Sequence, residues 1–353
     1  MRDRELKHLR LTLWWDDGFE AAWRIGLSVV DGIERVQVEE LLVTGTGGTE
    51  HDRPQSWYGH PKMPEVTLPE GAVRVAGLSF RGLLPLETSA LPPLMTKLRI
   101  RLLELRGSVQ YLSAVRARPE SVLTERGVQP SLSPDGKEAQ EILRYDRAAF
   151  DEVATWLREN VGRDLRPEPT GPKTWRWLLP PVSAPELSIP LASTGEGMGQ
   201  LIPILVALAL RRTEARADGK RYIAVEEPTS QLHDDLQILL AKHLASIVRA
   251  EDAPVILLET HARPLLLGVQ LAIANGLDPS QVILYWVEQD EQGVSRVDAV
   301  EFDEHGLPRS HHLRTAFEDE RRILRELSRA HLRAEQPANA GPSPEPPPAH
   351  SER

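Results

Sequence analysis

The pattern of apolar and polar positions changes character along the chain. From residue 8 to 45 it alternates or runs apolar in LRLTLWW, AAWRIGLSVV and VQVEELLV. Turn signals stand at Asp16-Asp17-Gly18 and Asp31-Gly32, which predicts successive β-strands. The stretches GTGGTEHDRP and YGHPKMP predict loop from 46 to 70, and VRVAGLSF a further short strand. A helix is expected over 86–106, then a strand in SVQYLSAV that RARPE stops. Residues 119–140 look irregular, and EAQEILRYDRAAFDEVATWLRE has helical spacing. The Pro-rich RPEPTGPKTWRWLLPPVSAPE should run extended across a surface.

From 186 onward strands and helices alternate. SIPLAS reads as a strand, and TGEGMGQ opens an apolar helix through QLIPILVALALRRTEA. RYIAVEE, PVILLET and QVILYWVEQD read as buried strands, separated by helices in DDLQILLAKHLASIVRA and RPLLLGVQLAIANG. This alternation predicts a parallel sheet with its active groups at the strands' C-terminal ends. GVSRVDAVEFDEHGLP reads as a hairpin. The expected organisation is a β-rich lobe with a helical segment over 1–118 and a helical, Pro-rich, lid-like insertion over 119–185. An α/β lobe follows over 186–312, then a helix over 313–335 and a disordered tail over 336–353. No internal repeat is visible.

Composition narrows the classes. The 353 residues are 41% hydrophobic and 27% charged, the profile of a soluble globular protein. With no cysteine, disulfides and cysteine metal sites are excluded. The N-terminus lacks the apolar core of a signal peptide, and no apolar run reaches the roughly 18 residues of a membrane span. The expected place is therefore the cytoplasm, without membrane contact. A net charge of −10 argues against nucleic acid covering the whole surface. A local basic face remains open at Arg99, Arg101, Arg106, Arg116 and Arg118; solvated arginines are the plainer reading.

Three features carry candidate chemistry. IAVEEP places Glu226 and Glu227 where a strand leaves the sheet. A carboxylate there can hold Mg²⁺ through water, and its neighbour can orient a water for attack. Side chains alternate along a strand, so the two acids diverge unless Pro228 turns the backbone. The plainer reading is that both acids lead into the next helix, whose positive end favours them. Glu259-Thr260-His261 ends the second strand, and His261 is either a phosphate or water contact or a helix-start histidine. Ser193-Thr194-Gly195-Glu196-Gly197 opens a helix and offers free N–H groups to an anion, although such a turn often only reverses the chain.

Together, in this order, these motifs resemble the C-terminal half of an ABC-type ATPase head of the RecF, SMC and OLD kind. Ser193-Thr194-Gly195-Glu196 matches the signature, Glu226 the Walker B acid, Glu227 the catalytic base and His261 the switch histidine. Ser230-Gln231-Leu232-His233 lies where the D-loop does. VQYLSAVRARPES, SPDGKEAQEIL, STGEGMGQLIPILVALAL, EEPTSQLHDDLQ, LLETHARPLLLGVQ and AVEFDEHGLP look like the bacterial RecF/OLD-like AAA ATPases that carry a C-terminal domain of unknown function. The resemblance covers most of 108–310 and implies an α/β ABC-type head that uses ATP and Mg²⁺.

One element of that family is missing. None of the seven lysines stands in G-x-x-x-x-G-K-[ST], the phosphate-binding loop. Thr44-Gly45-Thr46-Gly47-Gly48-Thr49 has no lysine and reads as a loop. The chain is expected to begin just after the family's P-loop. Three accounts compete: a split ATPase completed by a P-loop-bearing subunit, a pseudo-ATPase scaffold that only interacts, and a longer native protein. In the first, Ser193 and Gly195 would also reach ATP held by an opposite head, in a hetero-oligomer or head-to-head dimer. Relatives of this kind suggest bacterial defence or DNA repair, with a nuclease effector or DNA as further partners. A metal nuclease built on the acids lacks additional acids at suitable neighbouring strand ends.

Overall fold

The computed structural model describes residues 8–30, 33–45, 53–58, 73–75, 78–86, 91–127, 131–210, 221–251 and 253–310. The chain divides into two compact units, Met1–Gln110 and Tyr111–Arg353. The expected helix over 313–335, the tail over 336–353 and most of the loop over 46–70 fall outside the described residues.

The first unit is built on five strands in the order β1 to β5: His8–Trp14, Glu20–Val30, Ile33–Thr44, Gln55–Tyr58 and Val73–Val75. All neighbours pair antiparallel except β4 and β5. Phe19, Ala21 and Trp23 alternate inward, as the two-residue period of a strand requires. Leu41, Val43 and Trp57 join them. A short hairpin of β6, Phe80–Arg81, and β7, Leu84–Pro85, precedes helix α1, Pro93–Ser108. Leu94, Met95 and Leu98 of α1 close the core at one-turn spacing.

The second unit is mixed α/β. Its central sheet has the order β13-β12-β8: Val255–Glu259, Tyr222–Glu226 and Val109–Leu112. β12 and β13 run parallel with Glu226 opposite Glu259. Helices α4, Glu196–Leu210, α5, Asp234–Val248, and α6, Arg263–Ala274, supply most of the packing. α4 is buried on almost every side, so its apolar run reads as a core helix rather than an amphipathic one.

Residues 119–185 contribute Leu123, Leu143, Val153, Trp156, Trp175 and Trp177 to that same core. The helical spacing over 138–159 resolves into α2, Ala139–Tyr145, and α3, Arg147–Val161. Asp146 breaks them at φ −99° and caps α3, accepting from the Ala149 N–H at 2.9 Å. The Pro-rich segment forms a hairpin, β10 Arg166–Gly171 with β11 Thr174–Leu178, and β9 Leu123–Thr124 extends it. It does not run across the surface: Trp175 and Trp177, two apart on β11, both point into the core, and the Trp177 indole donates to the Gln140 carbonyl at 3.0 Å.

Two strand assignments change. SIPLAS forms a 3-10 turn over Leu191–Ser193, because Pro190 offers no N–H to a ladder and makes only one bridge, to Leu178. QVILYWVEQD does not join the parallel sheet. β14, Leu284–Gln289, pairs antiparallel with β15, Ser295–Val300.

Candidate functional site

The site forms where β12 stops. Glu226 is its last residue, and Glu227 sits at φ +41°, a conformation rare for a residue with a side chain. The turn is held on several sides. The Glu227 N–H donates to the Glu259 carbonyl at 2.8 Å, and its own carbonyl accepts from the Ser230 N–H at 3.2 Å. Even with the backbone turned here, the two carboxylates face different partners. Glu226 Oε1 accepts from the Tyr111 hydroxyl at 2.7 Å, and Oε2 from the Ala114 N–H at 3.2 Å. Glu227 Oε1 lies 3.6 Å from His261 Nε2. The hydrogen bond to Glu226, then burial, then the charges of Glu226 and Glu259 hold the Tyr111 hydroxyl above its usual pKa.

The glycine turn approaches from α4. After the 3-10 turn, the Thr194 hydroxyl donates to the Leu191 carbonyl at 2.7 Å, and the Met198 N–H donates to the Gly195 carbonyl at 3.0 Å. Ser193, Gly195 and Glu196 are exposed. At Gly197 a Cβ would come within 2.5 Å of the Gln231 carbonyl oxygen, so the start of α4 abuts the segment Ser230-Gln231-Leu232-His233. Thus Glu226, Glu227 and His261 meet at one pair of strand ends, and the glycine turn lies against the loop that leaves them. Among the described residues no hydrogen bond joins Ser193, Thr194 or Gly195 directly to the acids.

The connection runs instead through Arg116, which corrects the reading of the arginines as solvated. Arg116 is 3% exposed. Its Nη2 donates to the carbonyls of Glu226 at 2.5 Å and Glu227 at 3.2 Å, and its Nη1 to Gln200 Oε1 on α4 at 3.1 Å. Burial pushes its pKa down to about 10, against the opposing pull of Glu227 and Glu226. The other arginines divide. Arg99 donates to the Pro85 carbonyl, Arg101 pairs with Asp17 over the Trp15 and Phe19 rings, and Arg118 is solvated beside Glu196. Sequence reasoning missed Arg116, Gln200 and Tyr111 as site residues. Gln200 carried a signal: it is the lone polar side chain in QLIPILVALAL.

Mg²⁺ fits this donor set only loosely. Each Glu226 oxygen has a second lone pair beyond its one hydrogen bond, and Mg²⁺ commonly keeps its waters and takes one or two carboxylates. Among the described residues no three acids or histidines gather into an all-protein cage. A cation held here would need ligands from elsewhere, such as phosphate oxygens. No described helix is long and apolar enough to cross a membrane.

No protein-family model matches the sequence, and no curated protein does. Among solved structures the chain is similar to one from a study of ATP-driven dimerization and DNA-stimulated activation of SMC ATPases, at 13% identity over 52% of this chain and 97% of that one, with a TM-score of 0.35. It is also similar to the SMC head domain from Thermotoga maritima, at 12% identity over 80% and 74%, with a TM-score of 0.33. The Smc head domain with an extended coiled coil bound to the C-terminal domain of ScpA, from Pyrococcus furiosus, matches at 13% identity over 54% and 40%, with a TM-score of 0.33.

Proposed function

We propose that the chain is an ABC-type ATPase head of the RecF/OLD kind that works with a P-loop supplied from outside residues 1–353. The observation that carries this is the turn at the end of β12, which separates two adjacent acids and sets Glu227 3.6 Å from the histidine of the next strand. Glu227 would orient the attacking water, with His261 against the γ-phosphate. Glu226 would hold Mg²⁺ through water, and the ion would supply charge neutralisation on the phosphates. Ser193 and the amides of Gly195 to Gly197 would bind ATP across a dimer interface, at the N-terminal end of α4. The setting proposed is a cytoplasmic complex in bacterial defence or DNA repair, with a nuclease or DNA as further partners.

One observation favours a second reading. Both Glu226 oxygens are already hydrogen-bonded, as in a scaffold that uses the acids to hold its fold. Calorimetry and turnover assays separate the readings. The isolated chain should bind Mg-ATP weakly, because it has no lysine loop, and turnover should appear on adding a P-loop-bearing subunit. Glu227→Gln should then abolish turnover while leaving ATP bound. Tight Mg-ATP binding by the chain alone would refute the dependence on a supplied P-loop, and unchanged turnover in Glu227→Gln would favour the scaffold.

A further inference from the structure

Trp175 and Trp177 stand on one face of β11, and only one of their indoles is satisfied. The Trp177 N–H reaches the Gln140 carbonyl at 3.0 Å. Trp175 is 4% exposed, and its Nε1–H has no hydrogen-bond partner. A buried donor without an acceptor is rare in a folded protein and asks for a missing group. This indole borders a space that such a group could enter. A cleft of about 260 Å³ opens between the end of α2 and the β10–β11 hairpin, lined by Trp175, Arg144, Lys173, Glu125, Pro167 and Pro169 among others.

The lining is of two kinds. Register places Pro169 opposite Trp175 on the neighbouring strand, and Pro167 opposite Trp177. β10 is an edge strand, where proline is tolerated, and the two rings give the cleft an apolar wall. The other side is charged. Arg144, in the last turn of α2, holds its guanidinium 5.8 Å from the centre of the Trp175 ring. Lys173 comes from the turn between β10 and β11. Glu125 follows β9, and its N–H donates to the Lys173 carbonyl at 3.1 Å. Arg144 and Lys173 are exposed, and among the described residues neither side chain makes a hydrogen bond or an ion pair.

These groups define the ligand. Two cations and one acid leave the cleft one positive charge, which suits a monoanion and not a nucleoside triphosphate. An N–H beside a guanidinium and an ammonium is a donor set for one carboxylate, and the planar fork of arginine matches its two oxygens. The volume lies just below the range of roughly 300–1,000 Å³ that holds drug-sized ligands, so the occupant is small. We infer that the cleft binds a small monocarboxylate with an apolar body. Its oxygens take the Trp175 N–H and the Arg144 and Lys173 cations, and its body lies against Pro167 and Pro169. Nε1 is itself covered, so the carboxylate enters as the exposed Arg144 side chain moves off the ring and grips it. The cleft shares no residue with the site at Glu226, Glu227 and His261 and does not depend on the ATPase reading.

Indole N–H resonances read the site directly in the full chain grown with isotope-labelled tryptophan. The Trp175 signal is the one missing from Trp175→Phe. If that variant does not fold, Arg144→Gln, which removes the cation over the ring, marks the same signal. The probes are benzoate, acetate and the neutral benzamide. Benzoate should move the Trp175 signal along a saturable curve and leave the Trp177 signal nearly in place. It should bind about fivefold tighter than acetate, because its ring meets the prolines. Arg144→Gln should weaken benzoate about tenfold and Lys173→Gln several-fold, while Arg158→Gln on α3 should change nothing. Both Arg144 and Lys173 are exposed, so these two variants keep the fold.

The carboxylate site is overturned if the Trp175 signal stays in place at about 100 mM benzoate. Benzamide binding as well as benzoate would also sink it, since the cleft would then not select an anion. So would a shift that persists in the Arg144→Gln, Lys173→Gln double variant. A magnetisation-transfer contact from the Trp175 N–H to a long-lived water, kept at saturating benzoate, would assign the buried donor to that water and overturn the site too.

Discussion

Replacing Arg116 by Met tests whether one buried guanidinium holds the acid turn to the glycine-turn helix. The substitution keeps much of the side-chain length and removes three donated bonds, to Gln200 Oε1 and to the carbonyls of Glu226 and Glu227. The Glu227 carbonyl keeps a partner in the Ser230 N–H, so the main loss falls on two acceptors. A buried acceptor left unsatisfied costs about 1–3 kcal/mol. Against this stands relief from desolvating the guanidinium, the effect that pushes its pKa down to about 10. The balance is a loss of about 2 kcal/mol, with Arg116→Lys intermediate because an ammonium lacks the planar fork. Urea unfolding followed by tryptophan fluorescence reads it, since Trp175 and Trp177 belong to the same core. Gln200→Leu leaves Nη1 buried and unpaired, so the double variant should lose less than the sum of the singles, by about 1–2 kcal/mol. Arg116→Met within about 0.5 kcal/mol of the parent, or strict additivity with Gln200→Leu, would refute the connection.

The remaining predictions are local. Because Glu227 sits at φ +41°, Glu227→Gly should be more stable than Glu227→Ala by about 1 kcal/mol, and equal midpoints in urea would count against strain there. Gly197→Ala, whose Cβ would lie 2.5 Å from the Gln231 carbonyl oxygen, should cost about 1–3 kcal/mol. Gly195→Ala, with nothing within 4 Å, should stay within about 0.5 kcal/mol by thermal melting. Arg101 holds the Asp17 carboxyl well below its ordinary pKa, so this pair contributes stability above about pH 4 that is lost as pH falls through the folded value. Asp17→Asn should therefore melt below the parent at pH 7, and the gap should close in acid; a constant gap would show that the pair does not titrate as described.

The parts of the fold legible in the sequence were those in which local period and burial agree. Ala21 and Trp23 of β2, and Phe19 just before it, point inward while the residues between them stay partly exposed, so the two-residue period survives in the chain. α4 is apolar without period because it is buried on almost every side, and its flanking turns made it readable. The hairpin at 166–178 was not legible as core. Its prolines dominate the composition, while the decisive signal was the two-residue spacing of Trp175 and Trp177. β14 failed for another reason: an apolar strand after a helix looks alike whether it enters a parallel sheet or turns back on its neighbour, and only the pairing with β15 decides.

The site divides along the same line. The proximity of Glu226, Glu227 and His261 was legible because strand ends and spacing bring them together from consecutive elements. Arg116 was not, because its role depends on carbonyls whose positions no side-chain pattern encodes. A guanidinium that grips the backbone of both acids, rather than their carboxylates, fixes where the two residues stand. The same bond set reaches Gln200 on the helix that begins at the glycine turn. A shift of α4 would therefore pull on the turn that aims Glu227, in a packed interior that does not deform continuously. Any anion that settles at Gly195 and moves the start of α4 would then act on Glu227 through Arg116, even though Ser193 and Gly195 make no hydrogen bond to either acid.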